Sequence, residues 1–133
     1  SDVCSSDLLA NAMKVALIVD ENDHAAWCSE VAQGFENEPE RGARCTRCFT
    51  YSLQRTVNVL RNMPEYDVFT TSLSISPHKS STTLFAIGRQ LGGERFLAID
   101  FKKQNGFQKS VEWARTLNLY RQRYCGCEWS IRP

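Results

Sequence analysis

Four cysteines stand in two tight pairs, Cys45-Thr-Arg-Cys48 and Cys125-Gly-Cys127, with 76 residues between the pairs. Thiols grouped in this way chelate soft metals or exchange electrons, and in a chain without an evident export signal they point to a reducing, cytoplasmic setting. A structural zinc would employ all four, but zinc ribbons usually set their pairs about 15–20 residues apart. The fold would have to join these. Inert thiols, a structural zinc, and an iron-sulfur or catalytic metal site are the readings the residues allow, the last favoured. A redox CxxC acting alone leaves the second pair unexplained. Cys28, next to Trp27, reads as a buried apolar thiol, and Cys4 is assigned no chemistry. His78, Asp100, Tyr120 and Tyr124 are candidates for proton transfer or substrate contact. Lys79, Lys102, Lys103, Arg121 and Arg123 are candidates for gripping phosphates, against the alternatives of a solvated edge and, with Arg132, an ordinary basic tail. Arginines interleaved with Tyr120, Tyr124 and Trp129 are the mixture that single-stranded RNA meets through stacking and phosphate contacts.

These residues need elements to place them. At 133 residues the chain suits one core, and its net charge of +1 hides an uneven distribution. Residues 1–40 hold nine acids and one base, residues 41–133 fifteen bases and six acids, so the later part is the one suited to an anionic partner. No apolar run is long enough for a membrane span. Val15-Ala-Leu-Ile-Val19 has the pattern of a strand buried on both faces, followed by a short helix capped by Asp23 and carrying Trp27 and Val31. A Glu-rich loop from Gly34 to Gly42 leads into a helix from Cys45 to Leu60, whose apolar residues Phe49, Leu53, Val57 and Leu60 step by four, four and three. Asp67-Val-Phe-Thr-Thr-Ser-Leu73 and Phe96-Leu-Ala-Ile99 read as further buried strands. Ser76-Pro77 reads as the cap and first position of a helix through Leu84, Ile87 and Leu91, stopping at Gly92-Gly93. Asn105-Gly106 is a turn, and a last helix from Gln108 to Leu117 turns Val111, Ala114 and Leu117 inward. Strands alternating with helices predict a three-layer α/β domain with a small parallel sheet. The candidates at Cys45/Cys48, residues 74–79 and residues 100–103 then fall at the carboxyl ends of strands or at helix starts, where anions and thiolates are stabilised.

Two resemblances sharpen this reading. Ser1-Asp-Val-Cys-Ser-Ser-Asp-Leu8 resembles a translated sequencing adapter, so the native protein is expected to start near Leu9, with one domain over residues 9–133. Gly42-Ala-Arg-Cys-Thr-Arg-Cys-Phe49, Phe69-Thr-Thr-Ser-Leu-Ser-Ile-Ser-Pro-His-Lys79, Asp100-Phe-Lys-Lys103 with Asn105-Gly106, and Leu119-Tyr-Arg-Gln-Arg-Tyr-Cys-Gly-Cys127 together resemble the QueH family of epoxyqueuosine reductases. Trp27 and the acidic Glu36-Asn-Glu-Pro-Glu40 look like their family counterparts. The resemblance implies reduction of the epoxide of epoxyqueuosine in tRNA, the last step of queuosine synthesis. It also implies an iron-sulfur cluster of the 4Fe-4S kind held by Cys45, Cys48, Cys125 and Cys127, an electron donor, an anticodon loop as substrate, and no membrane. A fold like that of adenine-nucleotide alpha-hydrolases is implied too. The family's first strand and its adjacent-cysteine motif have no counterpart here, so this chain alone is expected to be inactive. Those two further thiolates would leave room for a second metal ion. The rival readings are a zinc-stabilised α/β RNA-binding module and an ATP-dependent tRNA-modifying enzyme of similar fold.

Overall fold

The computed structural model describes residues 5–131; Cys4 and Arg132 lie outside the described residues. These fall into two compact units, one of residues 24–107 and one of residues 5–23 with 108–131. The helices are α1 (Ser5–Met13), α2 (His24–Trp27, continued by a π turn at Cys28–Ala32), α3 (Ala43–Arg61), α4 (Ser81–Gly92) and α5 (Gly106–Thr116).

The unit of residues 24–107 is organised by α3. Its apolar stripe is buried as the spacing predicts, at Phe49, Leu53, Val57 and Leu60. Phe49 and Leu53 meet Leu84 and Ile87 of α4, and Cys45, Phe69, Leu73, Phe85 and Leu91 pack against that cluster. Each large aliphatic or aromatic side chain so buried contributes about 1.5–3 kcal/mol, which fixes which face of α3 points inward and therefore where Cys45 stands. The preceding loop folds back on the start of the helix. A Cβ at Gly42 would come within 2.9 Å of the Pro39 carbonyl oxygen, so only glycine fits.

The expected three-layer α/β domain, with its parallel sheet and its likeness to adenine-nucleotide alpha-hydrolases, is not what forms. The chain is mostly helical, and the β pairing among the described residues is an isolated parallel bridge between Phe69 and Phe96. The two segments do run side by side, with the Phe69 N-H donating to the Arg95 carbonyl (2.9 Å) and the Leu97 N-H to the Phe69 carbonyl (2.8 Å). A continued ladder would next bring backbone N-H groups of residues 71 and 73 to the carbonyls of Leu97 and Ile99. Hydroxyls take those carbonyls instead: Thr70 Oγ1 donates to Leu97 O (2.7 Å) and Ser74 Oγ to Ile99 O (2.9 Å). The Leu73 N-H turns to Thr71 Oγ1 (3.2 Å), and the chain coils into a 3₁₀ turn at Ser72–Ile75. Serine and threonine compete with the backbone in just this way, which the apolar pattern conceals.

Helix α4 starts at Ser81, later than Ser76-Pro77 predicts. Ser80 is the cap, its Oγ accepting from the Thr83 N-H at 3.3 Å. Ser76 closes a separate turn, its Oγ accepting from the His78 N-H (3.3 Å) and its carbonyl from the Lys79 N-H (3.2 Å). The end of α4 is as read, with Gly93 at φ 56° donating its N-H to the Arg89 carbonyl. On the inner face of α4, Gly88 and Gly92 let the rings of Phe96 and Phe69 lie against the helix; a Cβ on either would stand 2.5 Å from a ring carbon. The paired segments are thereby seated directly on α4.

In the other unit, residues 5–8 of the octapeptide that resembles a translated adapter open α1, which runs on to Met13. Residues 15–19, expected to be a buried strand, are exposed, with Val19 at 78%, and have no strand partner among the described residues. Helix α5 turns Val111, Ala114 and then Leu117 to its half-buried side, as the spacing predicts. No helix among the described residues is long and apolar enough to cross a membrane.

Candidate functional site

Cys45 and Cys48 occupy the first turns of α3, both half-buried. Three arginines fix this start of the helix through backbone carbonyls. The Arg44 side chain, 1% exposed, donates through Nη1 to the carbonyls of Phe35 (2.9 Å), Glu36 (3.2 Å) and Glu38 (2.7 Å), binding the acidic loop by its backbone. Its Nε is buried with no partner among the described residues. Arg47 donates through Nε to the Val31 carbonyl (3.1 Å) and through Nη2 to that of Glu30, and its guanidinium lies 4.4 Å from the centre of the Phe35 ring. Arg41, in the left-handed region at φ 74°, directs its backbone N-H to Cys45 Sγ (3.2 Å). Its guanidinium donates to the carbonyls of Pro77 (2.9 Å) and His78 (3.1 Å). Two of the sequence-predicted groups, the CxxC and the turn at residues 76–79, are thus brought together.

A second cluster gathers where the paired segments end. Lys102 Nζ donates to the Ser74 carbonyl (2.7 Å) and to Ser81 Oγ (2.8 Å). Asp100 Oδ1 accepts from Ser81 Oγ (3.2 Å) and from the Lys102 N-H (3.1 Å). Ser74, fully buried, also accepts at Oγ from the Phe101 N-H (3.2 Å). Lys102 therefore turns inward to organise three segments, while Lys103 is exposed on the turn that precedes α5 and His78 is exposed on its own turn.

The CxC pair belongs to the other unit. Cys125 is exposed and Cys127 half-buried, either side of Gly126 at φ 97°. Cys125 Sγ lies 3.2 Å from Ser130 Oγ, and Ser130 Oγ donates to the Cys127 carbonyl (2.6 Å), closing a short turn over Glu128–Ser130. Tyr120 (77%) and Tyr124 (42%) are exposed, as are Arg121 and Arg123. No disulfide joins the described cysteines. Cys28 departs from the buried apolar thiol expected of it. It is half-buried, and its Sγ is 3.4 Å from Nε2 of His24, whose ring stacks on Trp27 with centroids 5.9 Å apart.

Arg41, Arg44, Ser81 and His24 were not singled out by sequence. The first two lie within or beside a motif that was, and their proximity to the Glu-rich loop suggests ion pairs, whereas their partners are backbone carbonyls that no residue type announces. A His four positions before a Cys on a helix was a readable signal.

A family model described as epoxyqueuosine reductase QueH matches residues 4–133. Among curated relatives, the epoxyqueuosine reductase QueH of Streptococcus pyogenes serotype M1 is 40% identical over 103 residues, covering 75% of this chain and 40% of the relative. That of Haemophilus influenzae is 30% identical over 128 residues, 92% of this chain and 51% of the relative. That of Thermotoga maritima is 32% identical over 108 residues, 79% and 55% respectively. The chain spans about half, or less, of the length of these relatives.

Proposed function

The chain belongs to the epoxyqueuosine reductase QueH family, and from that premise we propose that it carries part of the site that reduces epoxyqueuosine to queuosine in tRNA. The observation that carries this reading is the family match through both cysteine pairs, together with a CxxC whose helix start is stapled in place. Converting an epoxide to an alkene consumes two electrons and two protons, breaks both carbon-oxygen bonds and releases the oxygen as water. An external electron donor must supply the electrons.

Four thiols in two pairs suit a soft-metal or iron-sulfur centre, and their donor chemistry fits the group. In this reading Cys45, Cys48, Cys125 and Cys127 hold a 4Fe-4S cluster, with further thiolates allowing a second metal ion. The centre, when bound, supplies single electrons and a Lewis acid toward the epoxide oxygen. The protein residues do the remainder. His78, Tyr120 and Tyr124 present exposed polar tips that can hand over the two protons. Asp100, held by Ser81 and the Lys102 N-H, keeps the loop after the second paired segment in one geometry. Lys79, Lys103, Arg121 and Arg123 meet phosphates of an anticodon loop, whose unstacked base enters a site without the full cost of opening a duplex.

Because the chain covers only about half of its relatives, the test is anaerobic reconstitution with iron and sulfide of a full-length family member carrying these motifs, followed by incubation with a low-potential reductant and tRNA carrying epoxyqueuosine. Iron with acid-labile sulfide and a nucleoside lighter by one oxygen atom are expected. One colourless zinc ion and an unchanged nucleoside would favour the RNA-binding module instead.

A further inference from the structure

We propose that Arg41 is a positioning residue that locks the turn at residues 76–79 to the Cys45 thiol, so that Lys79 is presented there as the seat for a phosphate of the RNA. The phosphate seat rests on the function proposed above; the lock does not.

Left-handed backbone costs any residue with a Cβ, and glycine would relieve that cost at position 41. An arginine stands there instead, and its side chain is put to use. The planar fork spans two successive carbonyls, Pro77 at 2.9 Å and His78 at 3.1 Å, a task that a lysine's single nitrogen performs poorly. The turn it grips is already closed on itself by Ser76, so gripping two carbonyls fixes the whole turn. The same residue's N-H donates to Cys45 Sγ at 3.2 Å. Hydrogen bonds to a ligating sulfur orient it and tune what it holds. One residue thus couples a thiol to a turn that is remote in sequence. Covering the two carbonyls with a guanidinium also removes from the turn the partial negative charge that would repel a phosphate, leaving the half-buried Lys79 in a cationic setting.

Arg41→Gly isolates the side chain, since glycine keeps both the left-handed backbone and the N-H that meets Cys45. Arg41→Lys keeps the charge and loses the fork. In the metal-free chain, amide hydrogen exchange at His78 and Lys79 should quicken about tenfold in both variants, while exchange within α3 and α4 stays as in the parent. The cobalt(II)-thiolate absorption of the Arg41→Gly variant should match the parent's, because the N-H to sulfur bond is retained. Binding of an anticodon stem-loop RNA should weaken several-fold in Arg41→Gly, with a salt slope smaller by about 1. Adding Lys79→Ala to Arg41→Gly should weaken it little further, because the two act as a unit. Parent-like exchange in the lysine variant would overturn the lock. Additive losses in the double variant would overturn the phosphate seat. A parent chain that bound neither cobalt nor RNA would overturn the function and the seat together, with the exchange rates still deciding the lock.

Discussion

The two cysteine pairs sit in opposite physical settings. Cys45 and Cys48 are mounted on a 19-residue helix whose start is fastened by three arginines through backbone carbonyls, and Cys45 itself packs against the core. Cys125, exposed, and Cys127, half-buried, flank Gly126 beside a short turn held by the Ser130 hydroxyl. A ligand pair fixed by folding binds a metal without further ordering, whereas a pair on a short turn spends part of the binding energy on ordering itself. On the function proposed above, the CxxC would be the pre-ordered pair, the template, and the CxC the pair still to be ordered, the arm.

The largest effect that would test this contrast is at the ligands. Cys45→Ser should bring metal content after reconstitution to background, because a hydroxyl does not replace a thiolate toward a soft metal. Cys28→Ser, outside both motifs in sequence and with its thiol 3.4 Å from His24 Nε2, should leave stoichiometry unchanged. Equal loss in the two, measured by metal analysis, would erase the distinction. Next, Arg44→Met should lower unfolding stability by about 3 kcal/mol in urea titrations, since it strips hydrogen bonds from three carbonyls around a buried site. Gly88→Ala should cost roughly 1–3 kcal/mol by driving a methyl into the Phe96 ring, and it should loosen the paired segments without touching either cysteine motif. Lys103→Glu should leave stability within about 0.5 kcal/mol of the parent while reducing the salt slope of RNA binding. Lys102→Glu should instead destabilise, because its ammonium is committed to Ser74 and Ser81. The smallest effect is expected from Ser130→Ala, below about 1 kcal/mol in stability, with the weakened arm visible only as a lower metal affinity. A stability loss there as large as that of Arg44→Met would end the template-and-arm distinction.

What could be read in the sequence follows the same division. The stripe on α3 and the Gly92-Gly93 stop are local signals, a helical period and a left-handed glycine, and the structure keeps them. The start of α4 was misplaced at Ser76-Pro77, because a serine before a proline has the chemistry of a cap, whereas the helix is capped by Ser80. The observed choice coincides with Arg41 gripping residues 77 and 78, a contact from 36 and 37 positions away. The sheet was misread for a related reason. An apolar run reports that a segment is suited to a strand, not that a ladder will run its length, and the hydroxyls of Thr70, Thr71 and Ser74 intercept the bonds that would have continued it. The cysteine motifs were legible because thiols in pairs have few other uses. The arginines around them were not, because a carbonyl partner leaves no mark in residue type.

That interception bears on how the molecule can change over generations. A backbone ladder is nearly blind to mutation, since every residue except proline brings the same N-H. Here, beyond the bridge at Phe69, the connection between the two segments is made by the side chains of Thr70 and Ser74. Each such link can be gained or lost by a single substitution, so the join next to the Lys102 and Asp100 cluster is open to selection one residue at a time.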